Sequence, residues 1–140
     1  MAKQNLDRGP AAALDLTVAE LVIPNVSLQI VDRSGPILII GVVRVTNPAA
    51  STPTVTLRLA RGGVAIAAAD QTQVMVALST HQMIVMFIED APTVGDIFTL
   101  RMSLSADVAG LEVGINGAML YALGVTQDAA LVAGIGPALA

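Results

Sequence analysis

The polar side chains that could carry out chemistry in this sequence are few and far apart. The single histidine, His81, lies in a Ser-Thr-His segment that we expect to be a solvated turn between two strands. Glu89 and Asp90 are adjacent, and adjacent residues of a strand point to opposite faces, so they are a poor acid/base pair. Asp90 and Asp96 flank a loop with proline and glycine and could offer oxygen ligands to a weakly bound calcium ion. An ordinary solvated loop is the simpler interpretation.

Sequence motifs that mark common catalytic and cofactor sites do not occur. No glycine-rich nucleotide loop follows a strand, and there is neither a Walker loop nor a Gly-x-Ser-x-Gly elbow. The chain has no cysteine, which excludes disulfides and thiolate zinc sites. Ser34 and Ser79 lack a histidine–aspartate partnership. We therefore expect a protein that is not an enzyme, with no catalytic residue, no metal and no cofactor.

The composition is that of a folded and strongly apolar chain. Hydrophobic residues make up 54% of the 140 residues and charged residues 13%, against about 25% charged in an average soluble domain. Disordered chains have the opposite composition, and the length suits one domain. The net charge is −4, whereas nucleic-acid binding normally needs a basic surface. We therefore expect no nucleic-acid partner.

The sequence also lacks the patterns of targeting and membrane segments. The N-terminal residues have no apolar stretch after a basic start, so they do not form a secretory signal. The longest uncharged run, Gln71–Ile88, contains seven polar residues and alternates, whereas a spanning helix needs about 20 mostly apolar residues. We expect no membrane partner, and a chain that is either kept in the cytoplasm or released without the general secretion route.

Most of the chain alternates apolar and polar residues with the period of two that is typical of strands. Thr54–Leu59 and Ile97–Leu104 alternate cleanly. Turn-rich clusters separate the strands, and two short segments, Arg61-Gly62-Gly63 and Asn116-Gly117, predict hairpin turns. Eight or nine short strands result. The sequence therefore predicts an all-β fold, a single jelly-roll-like β-sandwich of about eight strands, with an immunoglobulin-like sandwich as the alternative.

The domain organisation predicted from these patterns has three parts. Residues 1–18 form an extended N-terminal arm, residues 19–125 the β-sandwich domain, and residues 126–140 an alanine- and glycine-rich C-terminal tail. Within the arm, Leu14–Val18 alternates as a strand does, but its apolar residues also fit one face of a helix that begins near Pro10. The β-branched residues favour the strand.

Several predicted strands are apolar on both faces. Ile37–Val43 and Met83–Ile88 are apolar throughout, and Met119–Leu123 is nearly so. Because side chains of a strand alternate between its two faces, a two-layer sandwich covers one set and exposes the other. Partner subunits are the simplest cover, and the alternative is a monomer covered by its own arm and tail. The candidate interface residues are Ile37, Ile39, Met83, Val85, Phe87 and Tyr121.

The arm offers a second way to link subunits. An apolar-alternating segment can add to the open sheet edge of a neighbour, where main-chain hydrogen bonds provide affinity. We expect Leu14, Leu16 and Val18 to make this contact. A head-to-tail contact of this kind that does not close produces a filament.

Two stretches carry a resemblance to a group of bacterial and phage surface proteins. Thr54–Val64, TVTLRLARGGV, resembles the TVTLRLxRxGxxI hairpin of that group, and Phe87–Leu100, FIEDAPTVGDIFTL, is similar to its strand-loop-strand. The group includes jelly-roll subunits of endospore appendages, tip domains of exosporium proteins, and phage decoration and tail-fibre proteins. The resemblance spans Val26 to Val125. This arm lacks the cysteines that cross-link some appendage subunits, and Phe98 replaces the usual tyrosine.

The resemblance implies a structural protein that assembles from copies of itself. We expect a subunit of a fibre on a spore or cell surface, linked by apolar β-faces and by the N-terminal arm. The alternative is a virion protein, a capsid decoration or tail protein that forms closed trimers. A β-sandwich module that binds a ligand is the third possibility. The expected partners are copies of this chain, and the expected location is the spore or cell surface or, alternatively, the virion.

Overall fold

A computed structural model describes residues 5–31 and 35–124 of the chain. The first four residues of the predicted arm and the predicted tail, residues 126–140, lie outside the described residues. The described part forms ten strands and one short 3₁₀ turn. The strands are β1 (Asn5–Gly9), β2 (Leu14–Asp15), β3 (Leu21–Gln29), β4 (Ile37–Asn47), β5 (Thr54–Arg61), β6 (Val64–Ala65), β7 (Gln71–Val74), β8 (Ser79–Glu89), β9 (Ile97–Leu104) and β10 (Glu112–Gly124), with the 3₁₀ turn Ala67–Ala69 before β7.

The strands form two antiparallel sheets that pack face to face. We call them sheet I, with the order β1-β10-β4-β8, and sheet II, with the order β3-β9-β5-β6. In addition, β2 pairs with β10 in sheet I and β7 pairs with β5 in sheet II. Successive strands therefore cross between the sheets repeatedly, which is the connectivity of a jelly roll. The predicted all-β jelly-roll sandwich of about eight strands is confirmed, since eight strands of the described part have four or more residues.

The core lies between the two sheets and is built from the inward-facing residues of the long strands. Leu57, Phe98 and Leu120 are completely buried, and nearly all of the buried apolar residues form one continuous cluster. Each long strand alternates buried and less buried positions, most regularly in β4 and β9. The period of two in the sequence thus reports burial directly. No helix in the described part is long and apolar enough to cross a membrane.

The first predicted hairpin turn is present and the second is not. Gly62 and Gly63 connect β5 to β6 with φ angles of 57° and 84°, which only glycine adopts without strain in such a turn. Asn116-Gly117, in contrast, lies inside β10 and does not reverse the chain. Residues 114–117 form a bulge, and both halves of β10 pair with β4. The predicted hairpin at this position is therefore wrong.

Candidate functional site

The polar residues considered above for chemistry are not brought together. His81 lies within β8 and not in the predicted turn, and its Nε2 accepts the backbone N–H of Val76 at 3.3 Å. Glu89 is buried and forms an ion pair with Arg61, whereas Asp90 is exposed. Within the described part of the chain, no group of three or more histidines, cysteines or acids is placed to hold a metal ion.

The outer face of sheet II is polar and its charges are paired within the chain. Arg58 of β5 and Arg101 of β9 lie directly opposite each other. Glu20 accepts from both guanidinium groups, at 2.8 Å from Arg58 and 3.2 Å from Arg101, and Asp70 lies 3.1 Å from Arg58 Nε. The hydrogen bond that Arg58 donates to Glu20 and the charge of Asp70 raise the pKa of Arg58 above its ordinary value. Both arginines are therefore already paired with carboxylates of the chain.

The outer face of sheet I is apolar over three adjacent strands. The antiparallel register sets residues of β8, β4 and β10 side by side in three rows. We call these nine side chains the apolar face. The rows are Ile84, Val42 and Met119; Met86, Ile40 and Tyr121; and Ile88, Leu38 and Leu123.

The apolar face is open to solvent along its β8 side. Met86 is 57% exposed, Ile88 54% and Ile84 48%, and Leu123 on β10 is 37% exposed. The other five side chains are half-buried by their neighbours. Isolated exposed apolar residues are normal on a protein surface, whereas a contiguous group marks a site of contact. The predicted surplus of apolar surface is thus present, and it lies on one side of the molecule.

Most of the residues predicted to line an interface lie on the wrong side of the sheet. Ile37, Ile39, Met83 and Val85 are at most 5% exposed and belong to the chain's own core. Phe87 also faces inward, where it is half-buried against that core, so among the six candidates only Tyr121 lies on the apolar face. The prediction identified strands that are apolar on both faces but chose the inward set.

A signal for the correct face is present in the sequence. Val42, Arg44 and Thr46 lie on one face of β4, and Val43 lies on the other. Because Arg44 is charged, the face that carries it is the one expected to point outward. Because β4 pairs with β8 so that even-numbered residues lie opposite even-numbered residues, the same choice extends to Ile84, Met86 and Ile88. The strand β8 alone gives no such signal, since its two faces carry polar residues at similar frequency.

The predicted arm belongs to the chain's own sheet. β1 and β2 both pair with β10, and the N–H of Leu16 donates to the carbonyl of Leu111 at 2.9 Å. Leu16 is a core residue, 3% exposed, whereas Leu14 is half-buried and Val18 is 50% exposed. The strand interpretation of Leu14–Val18 is thus correct for Leu14–Asp15. The prediction that this segment is a free arm is wrong, because β1 and β2 form one edge of sheet I in their own chain.

The other edge of sheet I is formed by β8. This strand has 11 residues and pairs with β4 along its whole length. Within the described residues no strand pairs with its second side. An edge strand of this length presents a row of backbone groups to which another strand can bind.

Comparisons with known proteins give a fold and no family. No family model and no curated protein matches the chain. Among solved structures, the dimeric latent PorU from Porphyromonas gingivalis is similar with a TM-score of 0.52 at 12% identity, over 86% of this chain and 12% of that one. Rabbit GITRL is similar with a TM-score of 0.43 at 17% identity, over 85% of this chain and 81% of that one. At these identities the similarity describes the β-sandwich alone.

Proposed function

We propose that this chain is a structural subunit without enzymatic activity that self-associates through the apolar face. The observation that supports the proposal is the set of nine adjacent apolar side chains on the outside of sheet I, four of which are more than a third exposed. Each square ångström of apolar surface removed from water lowers the free energy by about 25 cal/mol. Burying this face against another surface therefore lowers the free energy of the assembled state.

A second copy of the chain is the partner that fits this face. Strand β4 has 11 residues, and with about 3.4 Å per residue and 4.8 Å between strands, the whole outer face of sheet I, which includes the apolar face, covers at most roughly 700 Å². A standard protein interface buries about 800 Å² on each partner. The face also has the usual anatomy, because an apolar centre is bordered by polar residues such as Arg44 and Gln82.

Two kinds of contact are needed for a fibre. When the apolar faces of two copies pack on each other, the contact is symmetric and closes at two subunits. Growth then requires a second surface, and the open edge of β8 provides one, since a β8 strand from another copy adds to it through main-chain hydrogen bonds. The β8 edge thus takes the place of the arm as the strand that links one subunit to the next. A fibre on a spore or cell surface is the function we propose, with a closed assembly in a virion as the alternative.

The proposal is tested by two matched substitutions on the two outer faces. Ile84 on sheet I is 48% exposed and Ile97 on sheet II is 45% exposed, so glutamate is tolerated equally by the fold at either position. At a concentration too low for the β8 edges to join, we expect Ile84→Glu to return the chain to a mass of 14.3 kDa, because it places a charge within the contact. Ile97→Glu is expected to leave the assembly intact. Light scattering after gel filtration measures both masses.

Other outcomes of this experiment separate the rival explanations. Equal effects of the two substitutions would contradict the role of the apolar face. If the parent chain is a monomer and assembles only when residues 126–140 are deleted, the tail covers the face and the proposal of a second copy is wrong. Circular dichroism of each variant confirms that it is folded, and Met86→Lys provides a second variant on the same face. Negative-stain microscopy then separates open filaments from closed rings.

A further inference from the structure

A second feature of sheet I is a cavity with a volume of about 360 Å³. It lies where the apolar face borders the polar residues Arg44 and Gln82. Its floor contains Val42 and Arg44 of β4, and its sides are formed by Arg8 of β1, Gln82 of β8 and residues 114–119 of β10. The volume lies at the small end of the range for sites that bind small molecules, about 300 to 1,000 Å³.

One wall of the cavity is the bulge in β10. Residues 114–117 are inserted opposite the single β4 residue Arg44. Asn116 has a φ angle of 55°, and its N–H donates to the carbonyl of Pro10 at 2.9 Å, which ties the bulge to the link between β1 and β2. A Cβ atom built on Gly114 would meet nothing within 4 Å, so the space beside this residue is open. Bulges are frequent next to binding sites because they redirect side chains and end the strand pairing.

The two arginines of the cavity differ from the other arginines of the described part. The three on β5 and β9 form ion pairs with carboxylates of the chain. Arg8 and Arg44 have no carboxylate partner among the described side chains, and the polar contact of Arg8 is with the Met119 sulfur, at 4.0 Å. Glu112 lies on the same outer face opposite Thr46, and it forms no ion pair with either arginine. Two positive charges therefore face one cavity in a chain whose net charge is −4.

We infer that this cavity binds a small organic carboxylate. The planar guanidinium group presents paired N–H donors whose geometry matches the two oxygens of a carboxylate. Val42, Ile115 and Met119 supply apolar contacts for the carbon part of the ligand, and the Gln82 amide supplies a further hydrogen-bonding group. The combination of two cations with apolar walls favours an organic acid over a bare inorganic anion. The inference does not rest on the proposed self-association, although Val42 and Met119 belong to both the cavity and the apolar face.

The experiment uses benzoate as the probe and the full chain as the protein. Sodium benzoate is titrated into ¹⁵N-labelled protein, with sodium chloride at the same ionic strength as a control and sodium phosphate as a second probe. We expect saturable shifts of the amide signals of residues 114–117 with benzoate and none with chloride. If phosphate produces these shifts and benzoate does not, the assignment to a carboxylate is wrong.

Three variants locate the site. Arg44→Gln removes one guanidinium group, and we expect it to weaken benzoate binding roughly tenfold or more. Gly114→Leu fills the open space and is expected to abolish binding while the chain stays folded. Arg58→Gln, on the outer face of sheet II, is the control and should change the affinity less than about twofold. Unchanged binding in both cavity variants, or no binding by the parent chain at millimolar benzoate, would overturn the inference. The same titration of Ile88→Glu, in the row of the apolar face farthest from the cavity, shows whether binding is independent of assembly.

Discussion

Asn47 is a fully buried polar side chain at the end of β4, and it holds two loops together. Its amide nitrogen donates to the carbonyl of Ser51 at 2.7 Å and to that of Val76 at 3.3 Å. Its Oδ1 accepts the N–H of Ala49 at 3.1 Å. A buried polar group is tolerated only when its hydrogen bonds are made. This residue therefore joins the loop after β4 to the loop before β8.

We predict that Asn47→Ala lowers the free energy of unfolding by about 2 to 3 kcal/mol, because buried backbone groups lose their partners. Ser51→Ala is the control, since Ser51 contributes its backbone carbonyl and its side chain is exposed. Urea denaturation followed by circular dichroism measures both values. A loss below about 0.5 kcal/mol for Asn47→Ala would show that the loops hold each other without this side chain.

Gly41 is a second residue on which the packing depends. It faces the core from the middle of β4, and a Cβ atom at this position would lie 2.8 Å from a methyl group of Leu100 and 2.9 Å from one of Val85. The glycine thus leaves room for Leu100 of the opposite sheet to approach sheet I.

We predict that Gly41→Ala destabilises the fold by about 1 to 3 kcal/mol, since an added methyl group in a filled core forces its neighbours apart. Gly114→Ala is the matched control, because the same methyl group there would enter open space. The midpoints of thermal or urea unfolding provide the comparison. Equal midpoints for the two variants would contradict the close packing described at Gly41.

At the scale of the element, β1 and β2 belong to the sandwich, whereas the sequence predicted that they lie in a free arm. Leu16 lies just after β2, in the link that leads to β3, and its side chain is buried in the core. Leu16 shares its alternation with Leu14 and Val18, so the pattern indicated an apolar strand face but not which sheet that face covers. The sequence does not show that one edge of β10 is available for pairing. In the fold, β1 and β2 pair with that edge.

We predict that Leu16→Ala costs about 2 to 5 kcal/mol of stability, as expected for a truncated core leucine. Val18→Ala serves as the control, because Val18 is half exposed and exposed substitutions usually change stability by less than about 0.5 kcal/mol. Denaturant unfolding of the two variants decides between a core segment and a mobile arm. A small effect at both positions would favour the mobile arm.

The bulge in β10 explains why a strong local signal for a hairpin was misleading. Asn116 does adopt the positive φ that the Asn-Gly pair predicts. A hairpin would require residues 112–113 and 118–124 to pair with each other, whereas both pair with β4. Local sequence fixes the backbone conformation of a turn residue, but the neighbouring strands decide whether the chain reverses there.

The elements of the fold were largely predictable from the sequence, and the functional face only partly so. Alternation placed strands such as β5 and β9, because burial on one face imposes a period of two, and the glycine pair placed the turn at Gly62-Gly63. Ile37–Val43 was correctly recognised as apolar on both faces, but its inward residues were named as the interface. To choose between the two faces of β4, one must know which face packs against the opposite sheet. Arg44 is the one charged residue in β4, and it indicates the face that does not.

At the scale of the whole molecule, the two outer faces of the sandwich differ in character. Sheet II carries Arg58 and Arg101 on its outside, and both are paired with Glu20. Sheet I carries the apolar face, which nothing in the described part of the chain covers. An asymmetry of this kind directs association to one side of the molecule, since burying the paired charges of sheet II would cost desolvation without a new partner.

The mass of the unmodified chain in solution, measured by light scattering over a wide range of concentration, tests this account most directly. We predict a mass of at least twice 14.3 kDa that rises further with concentration as the β8 edges join. A constant mass of 14.3 kDa up to high concentration would contradict it, because the apolar face would then be stable in water without a partner.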